Sequence, residues 1–118
     1  MKTRKELKDE YKQRSPPMGV FQIRNLTNGK IFVQRASDLS KIWESQKFKL
    51  ENRGHTNEAL QADWNAFGPD CFIFEILHEL SPATDRTQDV RAELITLEEI
   101  CIEELQPFGD NGYLRKGR

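Results

Sequence analysis

The dipeptide Asn28-Gly29 constrains this chain more than any other pair of residues. Asn-Gly between two β-forming runs is the strongest short-range signal for a hairpin, because both residues accept the positive φ that a tight turn between twisted strands needs. On one side lies GVFQIR, with Val20, Phe21 and Ile23 as strand formers; on the other lies KIFVQR, with Ile31, Phe32 and Val33. Strands over residues 19–24 and 30–35 therefore pair antiparallel around a turn at 25–29. Whatever else the chain builds must cover the faces of this hairpin.

The rest of the chain supplies helices and one more strand. Ser37 or Asp38 can cap a helix running to about Asn52, with Leu39, Ile42, Trp43, Gln46 and Leu50 at helical spacing. Arg53-Gly54-His55 ends it. Thr56 or Asn57 caps a second helix, EALQADWNAFG, which presents Leu60, Trp64 and Phe67 on one face and stops at Gly68-Pro69-Asp70. CFIFEIL is an unbroken β-rich run, which predicts a third strand in a central position. Residues 81–88 are a polar loop, 89–105 a long helix, and Pro107 ends it. A short charged helix over 3–13 precedes everything and breaks at Ser15-Pro16-Pro17. The pattern is α/β (α+β): a three-stranded, mainly antiparallel sheet made of the N-terminal hairpin plus the third strand, flanked by helices. It divides into a charged extension (1–17), one domain (18–114) and a basic tail (115–118).

Composition narrows the partners. The 118 residues carry a net charge of −1, which excludes a global basic field. The first 14 residues hold six Lys/Arg against three acids, and the last four are RKGR, so the ends are basic while 93–104 is acidic. Cys71 and Cys101 sit in apolar contexts with no zinc-like Cys/His spacing, and read as buried free thiols of a reducing compartment. No apolar run approaches the roughly 20 residues of a membrane span, and the N-terminus is polar. The expectation is a cytoplasmic protein without a membrane partner; its oligomeric state is open.

One carboxylate breaks the pattern. On a wheel of about 100° per residue, Val90, Leu94, Leu97, Cys101 and Leu105 form one arc, Ile102 widens it, and Glu98 falls inside it. A carboxylate in an apolar arc is hydrogen-bonded, ion-paired, bound to a metal, or at a rim that reaches water. His55 has a loop or capping role as its first reading and a catalytic one as its second. Arg24 and Arg35 end the two hairpin strands, with solvation as the default and phosphate contact as the alternative. Trp43 and Trp64 read as core, and His78 as surface.

These elements and residues together resemble the GIY-YIG nuclease superfamily over residues 18–114. GVFQIRN…NGKIFV looks like its two signature strands, DLSKIW like the start of its first helix, GHTNEALQADWNAFGPDCFIFEIL like its middle segment, and LEEICIEELQP followed by GYL like its closing helix and tail. The resemblance implies phosphodiester cleavage with one divalent ion, Mg²⁺ or Mn²⁺, held by a glutamate of the last helix. Tyrosines of the two strand motifs would help the nucleophile, and an arginine of the first helix would stabilise phosphate charge. Glu98 falls at the metal position. Phe21 and Phe32 fall at the tyrosine positions, without the hydroxyl. Ile42 stands at the arginine, Gln34 at a glycine, Gln46 where many members have His, and Leu114 at an asparagine.

The resemblance thus implies a catalytically impaired, endonuclease-like domain that serves as a nucleic-acid-binding or regulatory module. DNA would be the partner, with Arg24, Arg35, Lys41, Lys47 and His55 as phosphate contacts. Two alternatives stand beside it: an active metal-dependent DNA endonuclease using Glu98 and a different arginine, and a protein-interaction module working through the charged N-terminal helix and the 81–88 loop.

Overall fold

The computed structural model describes residues 16–80 and 90–115. The expected N-terminal helix, the 81–88 loop and the last three residues of the tail lie outside the described residues. Within them the order is β1 (Met18–Asn25), β2 (Ile31–Ala36), α1 (Leu39–Glu51), α2 (Glu58–Phe67), a short 3₁₀ turn (Pro69–Cys71), β3 (Phe72–Leu80), α3 (Val90–Leu105) and a second 3₁₀ turn (Gly109–Asn111).

The hairpin forms at the Asn-Gly pair. Gly29 takes φ 78°, its N–H donates to the Asn25 carbonyl, and the Asn25 N–H donates to Lys30. The register pairs Gly19 with Ala36 and Arg24 with Ile31. Asp38 caps α1 by accepting the Ser40 N–H at 3.0 Å, and Asn57 caps α2 by accepting the Leu60 N–H at 2.9 Å. At the end of α1 the left-handed residue is Arg53, φ 59°, and the Gly54 N–H closes back onto the Lys49 carbonyl.

The sheet is antiparallel with strand order β2-β1-β3. This corrects the central position expected for the third strand: β1 is central and β3 is an edge. A third strand could pair with either free edge of the hairpin; it takes that of β1, which puts β1 in the middle and leaves β2 and β3 as the edges. Ile76 is half exposed, and His78 and Glu79 are exposed. An unbroken apolar run does not report which edge is paired, and along β3 only Phe72 is buried.

Alternation along β1 and β2 divides the core into two layers. Phe21, Ile23, Phe32 and Ala36 meet Leu39 and Leu50 of α1 and Leu60 and Trp64 of α2. Val20, Ile31 and Val33 meet Cys101 of α3, with Leu97 and Ile102 packed beside it. Leu105 and Phe67, expected on the buried faces of their helices, are 39% and 40% exposed: each ends its helix, beyond the sheet that the preceding turns cover. Cys101 is buried and Cys71 only partly so; both are free thiols.

Candidate active site

Glu98 reaches from α3 to the outer edge of β2. One carboxylate oxygen accepts the Arg35 backbone N–H at 2.8 Å, and the other accepts the Arg35 guanidinium Nη1 at 2.7 Å. The Glu98 side chain is only 15% exposed and that of Arg35 is 43% exposed. The odd place of this carboxylate on the wheel thus has a local cause. β2 is an edge strand, its outward N–H groups need acceptors, and Glu98 serves the one at Arg35. Farther along the same edge the chain's end does similar work: the Tyr113 N–H donates to the Ile31 carbonyl at 2.9 Å.

A divalent ion needs the carboxylate that Arg35 already holds. Both Glu98 oxygens carry a donor, and an ion beside the guanidinium would meet like charge. Among the described residues no three His, Cys, Asp or Glu side chains gather into a possible metal cluster. The neighbouring Cys101 thiol is pushed above its ordinary value by burial, and then by the carboxylates of Glu104 and Glu98, so it stays protonated and is no thiolate ligand. The residues present do not fit the ion as they stand.

The other face of the hairpin, toward α1 and α2, is aromatic. Phe21 is fully buried and Phe32 nearly so. Their ring centroids lie 6.4 Å apart, and Phe21 also meets Phe74 at 5.4 Å. Ile42 packs against the same cluster, and Trp43 stacks on Phe74 at 5.5 Å. No side-chain atom at positions 21, 32 or 42 can exchange a proton or bind an anion.

Below Phe32 lies a chain of polar side chains. His55 is buried with its ring edge-on to Phe32, 5.3 Å between centroids. Its Nδ1 accepts the Asn57 N–H at 3.0 Å, so Nε2 carries the proton and donates to Gln46 Oε1. Gln46 Nε2 in turn approaches Gln34 Oε1 at 3.4 Å. Burial, and then the charge of Lys49, hold the His55 pKa below its usual value. His55 is thus a neutral internal strut, and its buried ring lies away from solvent.

The residues expected to touch phosphate are not gathered in one patch. Arg24 is bound to Glu75 through Nε at 3.0 Å, and Gln22 donates to the same carboxylate oxygen at 2.8 Å. Arg24 and Arg35 share the α3 side of the hairpin, at opposite ends of the register. Lys41 is exposed on α1, on the opposite side of the sheet, and Lys47 lies over the Trp43 ring at 5.3 Å.

A second network had no local signal in the sequence. The Tyr113 hydroxyl donates to Asp63 at 2.7 Å and accepts from the fully buried Asn25 at 3.0 Å, while Asn57 donates to the Tyr113 carbonyl. Burial, foremost, raises the Tyr113 pKa well above the ordinary phenol value. Its partners are 50 and 88 positions away, so only a periodicity-free aromatic in a Gly-rich tail hinted at it.

Comparison with known proteins agrees with this architecture. The structure superposes on the catalytic domain of the homing endonuclease I-TevI with a TM-score of 0.67 and 31% identity, covering 81% of this chain and 95% of that one. The chain belongs to the GIY-YIG nuclease superfamily. A mutant of the same I-TevI catalytic domain matches this GIY-YIG domain with a TM-score of 0.69 and 30% identity, over 83% of this chain and 92% of that one. Intron-associated endonuclease 1 of Enterobacteria phage T4 is 36% identical over 62 residues, 52% of this chain. The GIY-YIG chain described here spans a quarter of that relative's length in the match. No family model matches it. Among the described residues no helix is long and apolar enough to cross a membrane.

Proposed function

We propose that this GIY-YIG domain binds nucleic acid without cutting it, as a binding or regulatory module built on an endonuclease fold. The observation that carries the reading is the closure of Glu98 by Arg35; with it go Phe21, Phe32 and Ile42, packed in the core at positions where the family resemblance places groups that act on phosphate. Removing a single oxyanion-type donor costs about 10²–10³ in rate, and this site lacks several donors together. The domain's likeness to endonuclease catalytic domains supports nucleic acid as the partner. Exposed Lys41 and Lys49 and the half-exposed Arg35 supply cations for phosphate contact.

A plasmid-nicking assay with Mg²⁺ or Mn²⁺ tests the first half. The expected result is no open-circle product above a Glu98→Ala control. Metal-dependent nicking that the substitution abolishes would replace this reading with an active endonuclease. Fluorescence anisotropy with labelled duplex DNA tests the second half: affinity should fall as salt rises, since each phosphate contact releases counterions.

A further inference from the structure

We infer that Arg35 is the resident cation of this site, standing where the family's nucleases hold a divalent ion, and that it meets a nucleic-acid phosphate directly, without metal. The phosphate half rests on the nucleic-acid reading above; the cation half rests on the geometry alone.

Three features of position 35 carry it. First, the backbone and side chain of one residue close on one carboxylate, each taking a different oxygen, at 2.8 and 2.7 Å. A charge-assisted fork of this kind is strong and fixes the direction of the guanidinium. Second, the carboxylate is only 15% exposed, so an ion would have to evict Arg35 rather than bind beside it. Among the described residues no group of three His, Cys, Asp or Glu side chains gathers there to hold an ion. Third, a guanidinium has five N–H donors and Glu98 uses one of them. The Arg35 side chain is 43% exposed, so it is open to solvent on one side.

An arginine clamped on one side and open on the other meets a phosphate oxygen with little further loss of side-chain freedom. The Arg35–Glu98 pair is neutral as a unit. Its contribution is therefore directional hydrogen bonding rather than long-range attraction. The Arg24–Glu75 pair contrasts with it: both members are about 40% exposed, and among the described residues the carboxylate is held by side chains, those of Arg24 and Gln22. It is a surface pair, without the shielded oxygen that excludes an ion.

Two measurements decide the matter. In ¹⁵N-labelled wild-type protein, substoichiometric Mn²⁺ should leave the amide signals of 33–35 and 97–99 as sharp as the rest. In Arg35→Gln, whose spectrum also reports its fold, the same signals should broaden selectively. Selective broadening in the wild type, or in neither protein, overturns the cation half. Duplex-DNA anisotropy tests the phosphate half. Wild-type Kd should agree within about twofold between EDTA and Mg²⁺, and Arg35→Gln should weaken it roughly tenfold, with Arg35→Lys between. A Kd that needs Mg²⁺, or an unchanged Kd in Arg35→Gln, overturns that half. No salt-sensitive binding at all sinks the nucleic-acid reading and the phosphate half with it, while the manganese result still judges the cation.

Discussion

Tyr113 ties together three segments that are distant in sequence. Its hydroxyl bridges Asp63 and the buried Asn25, and its carbonyl holds Asn57, the cap of α2. Tyr113→Phe would keep the ring and leave the Asn25 amide without its acceptor in a fully buried place. We expect a loss of about 1–3 kcal/mol, the usual cost of an orphaned buried donor, read by urea denaturation. An Asn25→Ala, Tyr113→Phe double-mutant cycle should then show strong coupling, because the two residues share the bond. Phe32 teaches the converse. Its ring is packed against Phe21 and His55 and carries no hydroxyl, so this position is part of the core.

At the level of elements, the sheet depends on close approach at one glycine. Gly19 pairs with Ala36 on one side and Glu79 on the other, and a Cβ added there would collide with the His78 carbonyl. Immediately after it, between Val20 and Phe21, the β1–β3 register shifts by one residue, with Leu77 as the extra residue of β3. Gly19→Ala should force β3 away from β1 at that end. The expected signs are a lower thermal midpoint and faster amide exchange in 76–80, with the β1–β2 amides less affected. α3 shows how one helix face can serve two surfaces. Its arc of Leu94, Leu97 and Cys101 is real, and Glu98 belongs to it because the helix lies against an unpaired strand edge as well as an apolar face.

For the whole molecule, the clearest environmental lever is pH through His55. Its folded pKa is depressed from the ordinary 6.5 by burial and Lys49, so the unfolded chain binds the proton first. Stability from this group is complete above about pH 6.5 and is lost as pH falls toward the folded value, by at most about 1.4 kcal/mol per pH unit. Glu75 is also depressed, chiefly by its bonds from Gln22 and Arg24, from an ordinary 4.5, and so acts only in more acid solution. The thermal midpoint should therefore drop between pH 7 and 5, and His55→Gln should flatten that slope even if it lowers the midpoint throughout. Much of this protein was legible in the chain by itself: the hairpin at Asn28-Gly29, the two capped helices, the α+β class, and the anomaly of Glu98. Those features follow from turn chemistry, capping and periodicity, which act between residues a few positions apart. Tertiary structure alone decided that β3 takes an edge, that His55 is an internal strut, that Tyr113 ties Asn25 to Asp63, and that Arg35 is the partner of Glu98. Each of these joins groups far apart in sequence, or turns on which edge and face a strand leaves open, and local spacing carries no record of which distant donor will meet a given acceptor.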